Sequence, residues 1–278
     1  MQNHSLNLFS TAAASVLLGA LCTTALWAGQ RSTQRSQQEA CMARLNQLSK
    51  STVLYLSDCD DHYPSAMKYD DARGQYRWNE WHRFHPRVYD SGWTTQVYPY
   101  VGNQDQFACP LATRGVLAGT TGDGVLISYT FNGHLHHYDA AGVVNPAELI
   151  VLWEGLGSRG VLGYAVSQPV LKCAGKMAKG ACRYVPSKSP SSFLFKPLGT
   201  IGIHEGRINV GHADTHVRSI SVGKGDWRTG DPFTYDKHGN PNGFWSDGNH
   251  AWTFRPEYDF SESGSPMTAP FQPTPVVK

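Results

Sequence analysis

The sequence predicts an α+β protein in which one long N-terminal helix packs on an antiparallel β-sheet that carries loop-rich insertions. Three observations predict this fold class. Residues 6–29 form an apolar run without a charged side chain, and no proline occurs between Met1 and Tyr63. From Cys41 to Cys59, apolar residues recur at helical spacing. The chain is also rich in residues typical of turns and β-sheet cores, with 28 glycines, 16 prolines, 8 tryptophans and 13 tyrosines.

The first sixty residues are predicted to form one continuous helix from about Leu6 to about Asp58. A helix rises about 1.5 Å per residue and needs about 20 residues to cross a bilayer, so residues 6–29 are long enough to span one. The second half, residues 31–60, is amphipathic. Its apolar face consists of Cys41, Leu45, Leu48, Tyr55, Leu56 and Cys59. We therefore expect the first half to lie in lipid and the second half to pack on the sheet.

A cleaved signal peptide is the alternative to a retained membrane helix. The segment before the apolar run has no lysine or arginine, and the run is longer than the ~7–15 residues of a signal-peptide core, which favours retention. Arg31 and Arg35 follow the run, whereas no lysine or arginine precedes it. By the positive-inside tendency, this charge asymmetry argues against export of the C-terminal part. Both alternatives stay open from the sequence.

Length and charge limit the domain count and the function classes. The residues after the first 30 suffice for one large domain or two small ones. Charged residues make up 17% of the chain and the net charge is +2, without the basic block of a nucleic-acid-binding protein. We predict four segments in order: an N-terminal helix half (1–30), an α+β globular domain (31–222), a loop-rich extension (223–260) and a disordered tail (261–278).

The middle of the chain predicts one short helix and two strands. Residues 93–101 are expected to form a helix broken by Pro99, followed by a strand end at residues 107–110. Residues 125–131 are β-branched and aromatic, and residues 149–153 are continuously apolar, as in a buried strand. Two polar, turn-rich segments are expected to lie outside the core: residues 65–92 and residues 155–200.

A β-hairpin is predicted near the C-terminal end of the globular domain. Residues 207–213 and 216–222 alternate in polarity on either side of Asp214 and Thr215. Asp214 is expected to begin the turn because its carboxylate can accept hydrogen bonds from backbone N–H groups just ahead. Thr215 is expected to be the strained position, since a β-branched residue resists a positive φ.

Five cysteines lie beyond the apolar run and are disulfide candidates if that part of the chain is extracytoplasmic. They are Cys41, Cys59, Cys109, Cys173 and Cys182. Cys173 and Cys182 bracket a short loop and are the easiest pair to close. Cys41 and Cys59 share a helix face but lie too far apart to bond, whereas Cys109 can reach one of them. The alternative is that all are reduced and buried.

Histidine and aspartate cluster around the predicted hairpin. The candidate metal ligands are His204, His212, Asp214 and His216. The favoured alternative is that Asp214 begins the turn and the histidines stack across it. Three further histidines, His134, His136 and His137, are expected to be exposed polar residues of a loop, with a metal site as the alternative.

Oxygen ligands occur close together in the C-terminal extension. They are Asp231, Asp236, Asn240 and Asn242. Calcium prefers six to eight such oxygens, but the spacing is not that of an EF-hand. No other cofactor is predicted.

Catalytic motifs are missing from the sequence: it has no G-x-S-x-G, no H-E-x-x-H and no phosphate-binding loop, so we predict that the protein is not an enzyme. The aromatic residues between Tyr69 and Trp93 are able to stack on sugars, although core packing is the commoner role for such residues. A secreted or membrane-tethered binding module, with carbohydrate as a candidate ligand, is therefore the alternative to a structural subunit.

Several short patterns follow one another in a fixed order. The helix carries Cys41-x-x-x-Leu45-Asn46-Gln47-Leu48 and ends in Tyr55-Leu56-x-Asp58-x-Asp60-x-x-Tyr63-Pro64. The later patterns are Trp93, Tyr98-Pro99-Tyr100-Val101, Phe107-x-Cys109-Pro110, Ser128-Tyr129-x-x-Asn132, a strand ending in Glu154, and His204 followed after nine residues by Asp214. Over roughly residues 5–222, this order resembles the bacterial pseudopilin-like family with a prepilin-type N-terminus and a C-terminal H-x9-D-G element.

The resemblance implies a structural subunit of a type II secretion pseudopilus or a type IV pilus-like assembly. It implies a single pass through the inner membrane, an extracytoplasmic C-terminal domain and extraction into a filament. Its partners would be other pilin-like subunits, through the N-terminal helix, and the membrane, with no nucleic acid. Two positions depart from the family pattern: residues 4–9 lack the glycine and glutamate of the processing motif, and Thr215 stands in place of glycine.

Overall fold

The structure is a computed structural model that describes residues 3–66, 68–70, 75–77, 82–83, 92–115, 126–154, 159–162, 164–168, 172–173, 182–183, 204, 207–221, 244–246 and 251–256. The α-helices in these ranges are α1 (Asn3–Asp58) and α2 (Trp93–Val101). Short 3-10 helices occupy Gln104–Phe107, Gly133–Leu135 and Ala140–Gly142. The strands are β1 (Lys68–Asp70), β2 (Gln75–Arg77), β3 (His82–Arg83), β4 (Thr113–Gly115), β5 (Leu126–Ile127), β6 (Tyr129–Asn132), β7 (Ile150–Glu154), β8 (Arg159–Leu162), β9 (Tyr164–Gln168), β10 (Lys172–Cys173), β11 (Cys182–Arg183), β12 (Arg207–His212), β13 (Val217–Ser221), β14 (Phe244–Ser246) and β15 (Ala251–Thr253).

The main sheet has six strands in the order β13-β12-β7-β6-β9-β3. The first four pair antiparallel, β9 pairs parallel to β6, and β3 closes the edge antiparallel to β9. A smaller sheet has the order β4-β8-β5, and three strand pairs stand beside them. The predicted α+β class is therefore confirmed, with a sheet that is mixed at one edge rather than antiparallel throughout.

Helix α1 runs without a break from Asn3 to Asp58, which confirms the prediction of one continuous helix. The chain divides into two compact units, Met1–Ala40 and Cys41–Lys278. In the first unit, the side chains described from Gly19 onward are mostly exposed. Among them are Leu26, which is 69% exposed, and Trp27, which is 63% exposed.

A membrane-crossing segment is not found among the helical residues that the structure describes, because none of those stretches combines the required length with sufficient hydropathy. The side chains of residues 6–18 lie outside the described part of the chain. The prediction of a membrane-spanning half concerns mainly those residues.

In the second unit, the C-terminal part of α1 contributes to the main hydrophobic core. Of the predicted apolar face, four residues are buried: Cys41, Leu45, Leu48 and Leu56. Three small polar residues of the same helix are buried as well: Ser49, Ser51 and Thr52. Ser49 approaches the sheet closely because Gly211 of β12 has no Cβ, which would overlap the Ser49 hydroxyl. Asn46 of the helix also donates to the carbonyl of Thr215, at 2.9 Å.

Helix α2 continues through Pro99 to Val101, so the prediction that proline breaks it is wrong. The missing N–H removes one helical hydrogen bond, and the buried residues of the helix compensate for that loss. Gly102, with φ of 70°, ends the helix. Trp93 stacks on Phe131 with ring centroids 5.8 Å apart, so this aromatic residue belongs to the core.

Four segments depart from the predicted secondary structure. The single strand predicted at residues 125–131 is divided at Ser128 into β5 of the smaller sheet and β6 of the main sheet. Phe107 ends a 3-10 helix instead of a strand. Residues 164–168 and 82–83 form β9 and β3 of the main sheet, although the segments containing them were expected to lie outside the core. Sheet ladders require only backbone groups, so a polar sequence without apolar alternation joins an edge when a partner strand is available. The other aromatic residues between Tyr69 and Trp93 are candidates for stacking on sugars. Their side chains lie outside the described part of the chain.

The predicted C-terminal extension contains a buried segment that its composition does not indicate. Phe254, Arg255 and Pro256 are buried, and the Phe254 ring contacts Trp153 of β7 at a centroid distance of 5.2 Å. The buried amide of Asn132 donates to the carbonyl of Phe254, at 2.7 Å. This segment therefore belongs to the folded domain. The predicted disordered tail, residues 261–278, lies outside the described residues.

The predicted hairpin is confirmed as β12 and β13, with Gly211 opposite Val217. Thr215 has φ of 75°, as expected for the strained position. Asp214 Oδ1 accepts a hydrogen bond from the backbone N–H of His216, at 3.1 Å. Strand β12 is buried on both faces from Ile208 to His212, not on one face as its alternation suggested. One face meets α1 where Gly211 lies against Ser49, and on the other Trp153, which lies opposite Val210 in the ladder, contacts Phe254.

We expect Thr215→Gly to leave the stability unchanged or to raise it by up to about 1 kcal/mol, because glycine has no Cβ to oppose a positive φ. The Thr215 carbonyl that binds Asn46 remains in the variant. Urea denaturation measures the difference, and Thr215→Ala, which keeps the Cβ, should show no such gain. A loss of more than about 1 kcal/mol in the glycine variant would contradict the turn assignment.

Candidate functional site

Four side chains with metal-binding or redox chemistry meet in the interior of the second unit. They are Cys41 of α1, Cys109 after the first 3-10 helix, Glu154 at the end of β7, and His204 just before β12. Their ligand atoms all lie within 4.8 Å of one another, and all four residues are buried. We refer to these four residues as the buried cluster.

Backbone contacts position the members of the buried cluster. Glu154 lies opposite Tyr129 in the ladder between β7 and β6. The N–H of Cys109 donates to the Ser128 hydroxyl, at 2.6 Å, which places the cysteine beside β6. The carbonyl of His204 accepts from the N–H of Arg207, at 3.0 Å, which fixes His204 beside the first residue of β12. The cluster therefore joins segments that are far apart in sequence.

Hydrogen bonds from Asn209 and a contact with His204 fix the Glu154 carboxylate. Asn209 donates its backbone N–H to Oε2, at 2.9 Å, and its side-chain amide to Oε1, at 3.0 Å. The Nε2 atom of His204 lies 2.8 Å from Oε1 and 3.6 Å from the Cys109 sulfur. A buried carboxylate requires such partners, because burial without them carries a large desolvation cost.

Cys41 and Cys109 form a disulfide with a Cα–Cα distance of 4.8 Å. This confirms the prediction that Cys109 reaches a helical cysteine. Cys22 and Cys59 are free. Cys173 and Cys182 lie directly opposite each other in the β10–β11 ladder, as expected for neighbours, but their side chains lie outside the described part of the chain.

Tyr129 connects the buried cluster to the helix. Its hydroxyl donates to the carbonyl of Cys41, at 3.1 Å. Burial raises the pKa of Tyr129 well above the usual value, the negative charge of Glu154 raises it further, and Arg44 opposes the shift. The phenol therefore stays protonated and able to donate.

The four residues predicted as a metal cluster do not form one group. Among the described residues, the only candidate metal-binding group contains His204 without His212, Asp214 or His216. The rings of His212 and His216 are stacked with centroids 4.0 Å apart, which confirms the alternative in which histidines stack across the turn. Strand β12 separates His212 from His204, and the turn after β12 places Asp214 and His216 beyond it. The predicted calcium ligands, Asp231, Asp236, Asn240 and Asn242, lie outside the described residues.

The prediction that His134, His136 and His137 are exposed is wrong. His134 and His136 are buried and His137 is half-buried. The cause is a pair of backbone hydrogen bonds that hold their loop against the chain leaving α1: Tyr63 N–H to the Tyr138 carbonyl at 2.9 Å, and Ala140 N–H to the Asp61 carbonyl at 2.8 Å.

Burial also changes the acid–base behaviour of this loop. Burial lowers the pKa of His134 to about 3, with a further contribution from the positive charge of Arg255. Burial lowers the pKa of His137 to about 4, with a smaller contribution from His62. Both rings are therefore neutral at neutral pH.

Glu154 and Asn209 are site residues that were not predicted from the sequence. The signal for Glu154 was a charged residue directly after the apolar run 149–153, and the signal for Asn209 was a polar residue between Ile208 and Val210. A polar residue inside an apolar strand must find partners when it is buried. With its two sulfurs joined and its atoms enclosed, the buried cluster suits structural cross-linking better than turnover of a substrate.

No protein-family model, curated protein or solved structure matches the chain significantly.

Proposed function

We propose that the protein is a non-enzymatic structural subunit of a pilin-like assembly. Its N-terminal helix attaches it to the inner membrane and to the helices of other copies, and its C-terminal domain is extracytoplasmic. The observation that carries the proposal is the exposure of Leu26 and Trp27 on a helix whose later residues belong to a folded core. Leu26 and Trp27 belong to the uncharged apolar run of residues 6–29, and a contiguous exposed apolar surface is typical of an interaction site.

The described residues support the two parts of this proposal separately. Leu45 and Leu48 of α1 are fully buried in the core of the second unit, and the Cys41–Cys109 disulfide adds a covalent attachment. In the first unit, residues 19–40 are mostly exposed and carry the Arg35–Glu39 ion pair on their polar part. A helix that is attached at one end and apolar at the other is suited to helix–helix association.

The disulfide supports an extracytoplasmic location for the C-terminal domain. Stable disulfides persist in the periplasm and outside the cell, whereas the cytosol keeps thiols reduced. Cys41 and Cys109 are both buried, so their bond belongs to the core. The apolar, uncharged residues 6–29 supply the proposed membrane attachment.

Cysteine cross-linking tests the helix association directly, because Cys22 is free and exposed within the first unit. A short bismaleimide should join two copies through Cys22 in membranes or detergent, and Cys22→Ser should abolish the dimer. Cys59→Ser is the matched control and should leave the dimer unchanged. Mass spectrometry of the mature N-terminus distinguishes the alternatives: a start near residue 25–30 would indicate a secreted module instead.

Substitution of the exposed apolar residues provides a second test. Leu26→Lys combined with Trp27→Lys should reduce membrane recovery and cross-linking at least tenfold, because two charges on an apolar helical surface oppose burial. Leu54→Lys is the control on the same helix, since Leu54 is also exposed, at 54%, but belongs to the second unit. Equal recovery of both variants would contradict the proposal.

A further inference from the structure

We propose that the reduced chain binds one zinc ion in the buried cluster, through Cys41, Cys109, Glu154 and His204. The disulfide and the zinc ion would then be alternative cross-links at the same position in the core. This inference is independent of the proposed assembly function, since it rests only on the second unit.

The ligand types fit zinc. Thiolate sulfur, imidazole nitrogen and carboxylate oxygen are the three donors that zinc uses in proteins, and structural sites have four of them in a closed shell. The buried cluster offers two sulfurs, one nitrogen and one carboxylate, all enclosed and all within 4.8 Å. The donors come from four separate segments, so a bound ion would join them as a structural zinc site does.

One distance already matches a tetrahedral zinc site, and a second requires only a small movement. With zinc bonds of ~2.3 Å to sulfur and ~2.0–2.1 Å to nitrogen, a tetrahedral site places sulfur and nitrogen ~3.5 Å apart. The Cys109 sulfur lies 3.6 Å from Nε2 of His204. The same Nε2 lies 2.8 Å from Oε1 of Glu154 and would move away by roughly 0.6 Å. The two sulfurs would separate to ~3.8 Å once their bond is broken.

Asn209 supplies the outer shell that a zinc-binding carboxylate requires. Its backbone N–H holds Oε2 of Glu154 at 2.9 Å, and its side-chain amide holds Oε1, the oxygen that lies 2.8 Å from Nε2 of His204. Metal-binding carboxylates are commonly oriented by hydrogen bonds of this kind. Asn209 Oδ1 is itself buried and has no hydrogen-bond donor among the described residues, so the disulfide form leaves a polar atom of this neighbourhood unused.

The exchange between the two forms is a balanced reaction. A dithiol transfers two electrons and two protons to the Cys41–Cys109 disulfide, so that the protein gains two thiols and the reductant becomes a disulfide. Zinc binding then releases the two thiol protons to solvent, since thiolates are the ligands. Helix α1 would thus stay attached to the sheet in reducing and in oxidising surroundings.

A zinc titration of the full-length protein tests the inference. The other cysteines are first replaced by serine (Cys22, Cys59, Cys173 and Cys182), so that their thiols cannot bind metal. After reduction with dithiothreitol and anaerobic desalting, the protein should bind one zinc per chain with an affinity better than about 1 μM, and the oxidised protein should bind none. Cobalt should produce thiolate-to-metal absorption in the reduced form only.

Single variants identify the ligands. His204→Gln and Glu154→Gln should each weaken zinc binding about 100-fold or more, and Asn209→Ala should weaken it about 10- to 100-fold through loss of the outer shell. His216→Gln is the matched control and should bind zinc as the parent does. If the metal-free reduced chain unfolds, the same titration should restore the helical circular dichroism signal.

Three outcomes would overturn the inference. One is reduced protein that neither binds zinc nor recovers helical signal at 10 μM metal. The second is equal zinc binding by the oxidised protein, in which the thiolates are not available. The third is undiminished binding in Cys109→Ser or in His204→Gln.

Discussion

Replacing both Cys41 and Cys109 by serine should lower the free energy of unfolding by about 4 kcal/mol. The bond closes a loop with a sequence separation of 68 residues, and a cross-link of that length restricts the unfolded chain by roughly this amount. Since domains of ordinary stability unfold at a cost of about 5–15 kcal/mol, the loss is a large share of the total. Urea denaturation of both proteins under non-reducing conditions, with a chelator present, measures the difference.

Cys59→Ser is the matched control for that experiment. Cys59 lies just after the same helix, is half-buried and is free, so its replacement should change the free energy of unfolding by less than about 1 kcal/mol. A double variant that loses less than about 1 kcal/mol would contradict a structural role for the disulfide. A control that loses as much as the double variant would point to serine substitution itself as the cause.

Acid should destabilise the protein through the buried loop histidines. Burial lowers the folded-state pKa of His134 to about 3 and that of His137 to about 4, whereas an unfolded chain titrates histidine near 6.5. A lowered histidine pKa means that the unfolded state binds more protons in the interval between the two values. The stabilising contribution of these neutral rings is therefore complete above about pH 6.5 and is lost as the pH falls toward about 4.

The expected slope is up to about 1.4 kcal/mol per pH unit for each histidine in that interval. Urea denaturation at a series of pH values from 7.5 to 4.5 measures it. His134→Gln and His137→Gln should each reduce the slope between pH 6 and 5, whatever their effect on the stability at pH 7.5. His216→Gln, at a half-buried ring in the hairpin turn, is the control. If the unfolding free energy of both loop variants changes with pH as steeply as that of the parent protein, these rings are not buried as neutral groups.

Part of the buried cluster was predictable, and the reason differs for each residue. Helical periodicity put Cys41 on the buried side of α1, and simple reach placed Cys109 near a helical cysteine. The partners of His204 were not predictable, because the nearest candidate ligands in sequence lie at the far end of β12 and in the turn after it. Glu154 reaches His204 only because β7 and β12 are neighbours in the sheet.

The sequence by itself determined the long helix, its buried side, the apolar strand β7 and the hairpin turn at Thr215. These features follow from local patterns, since periodicity, strand composition and turn chemistry act over a few residues. The tertiary structure alone decided that β9 and β3 join the main sheet, that residues 254–256 return to the core, and that the loop histidines are buried. Those outcomes depend on which backbone groups and surfaces from distant parts of the sequence come into contact. Local sequence patterns do not encode such contacts.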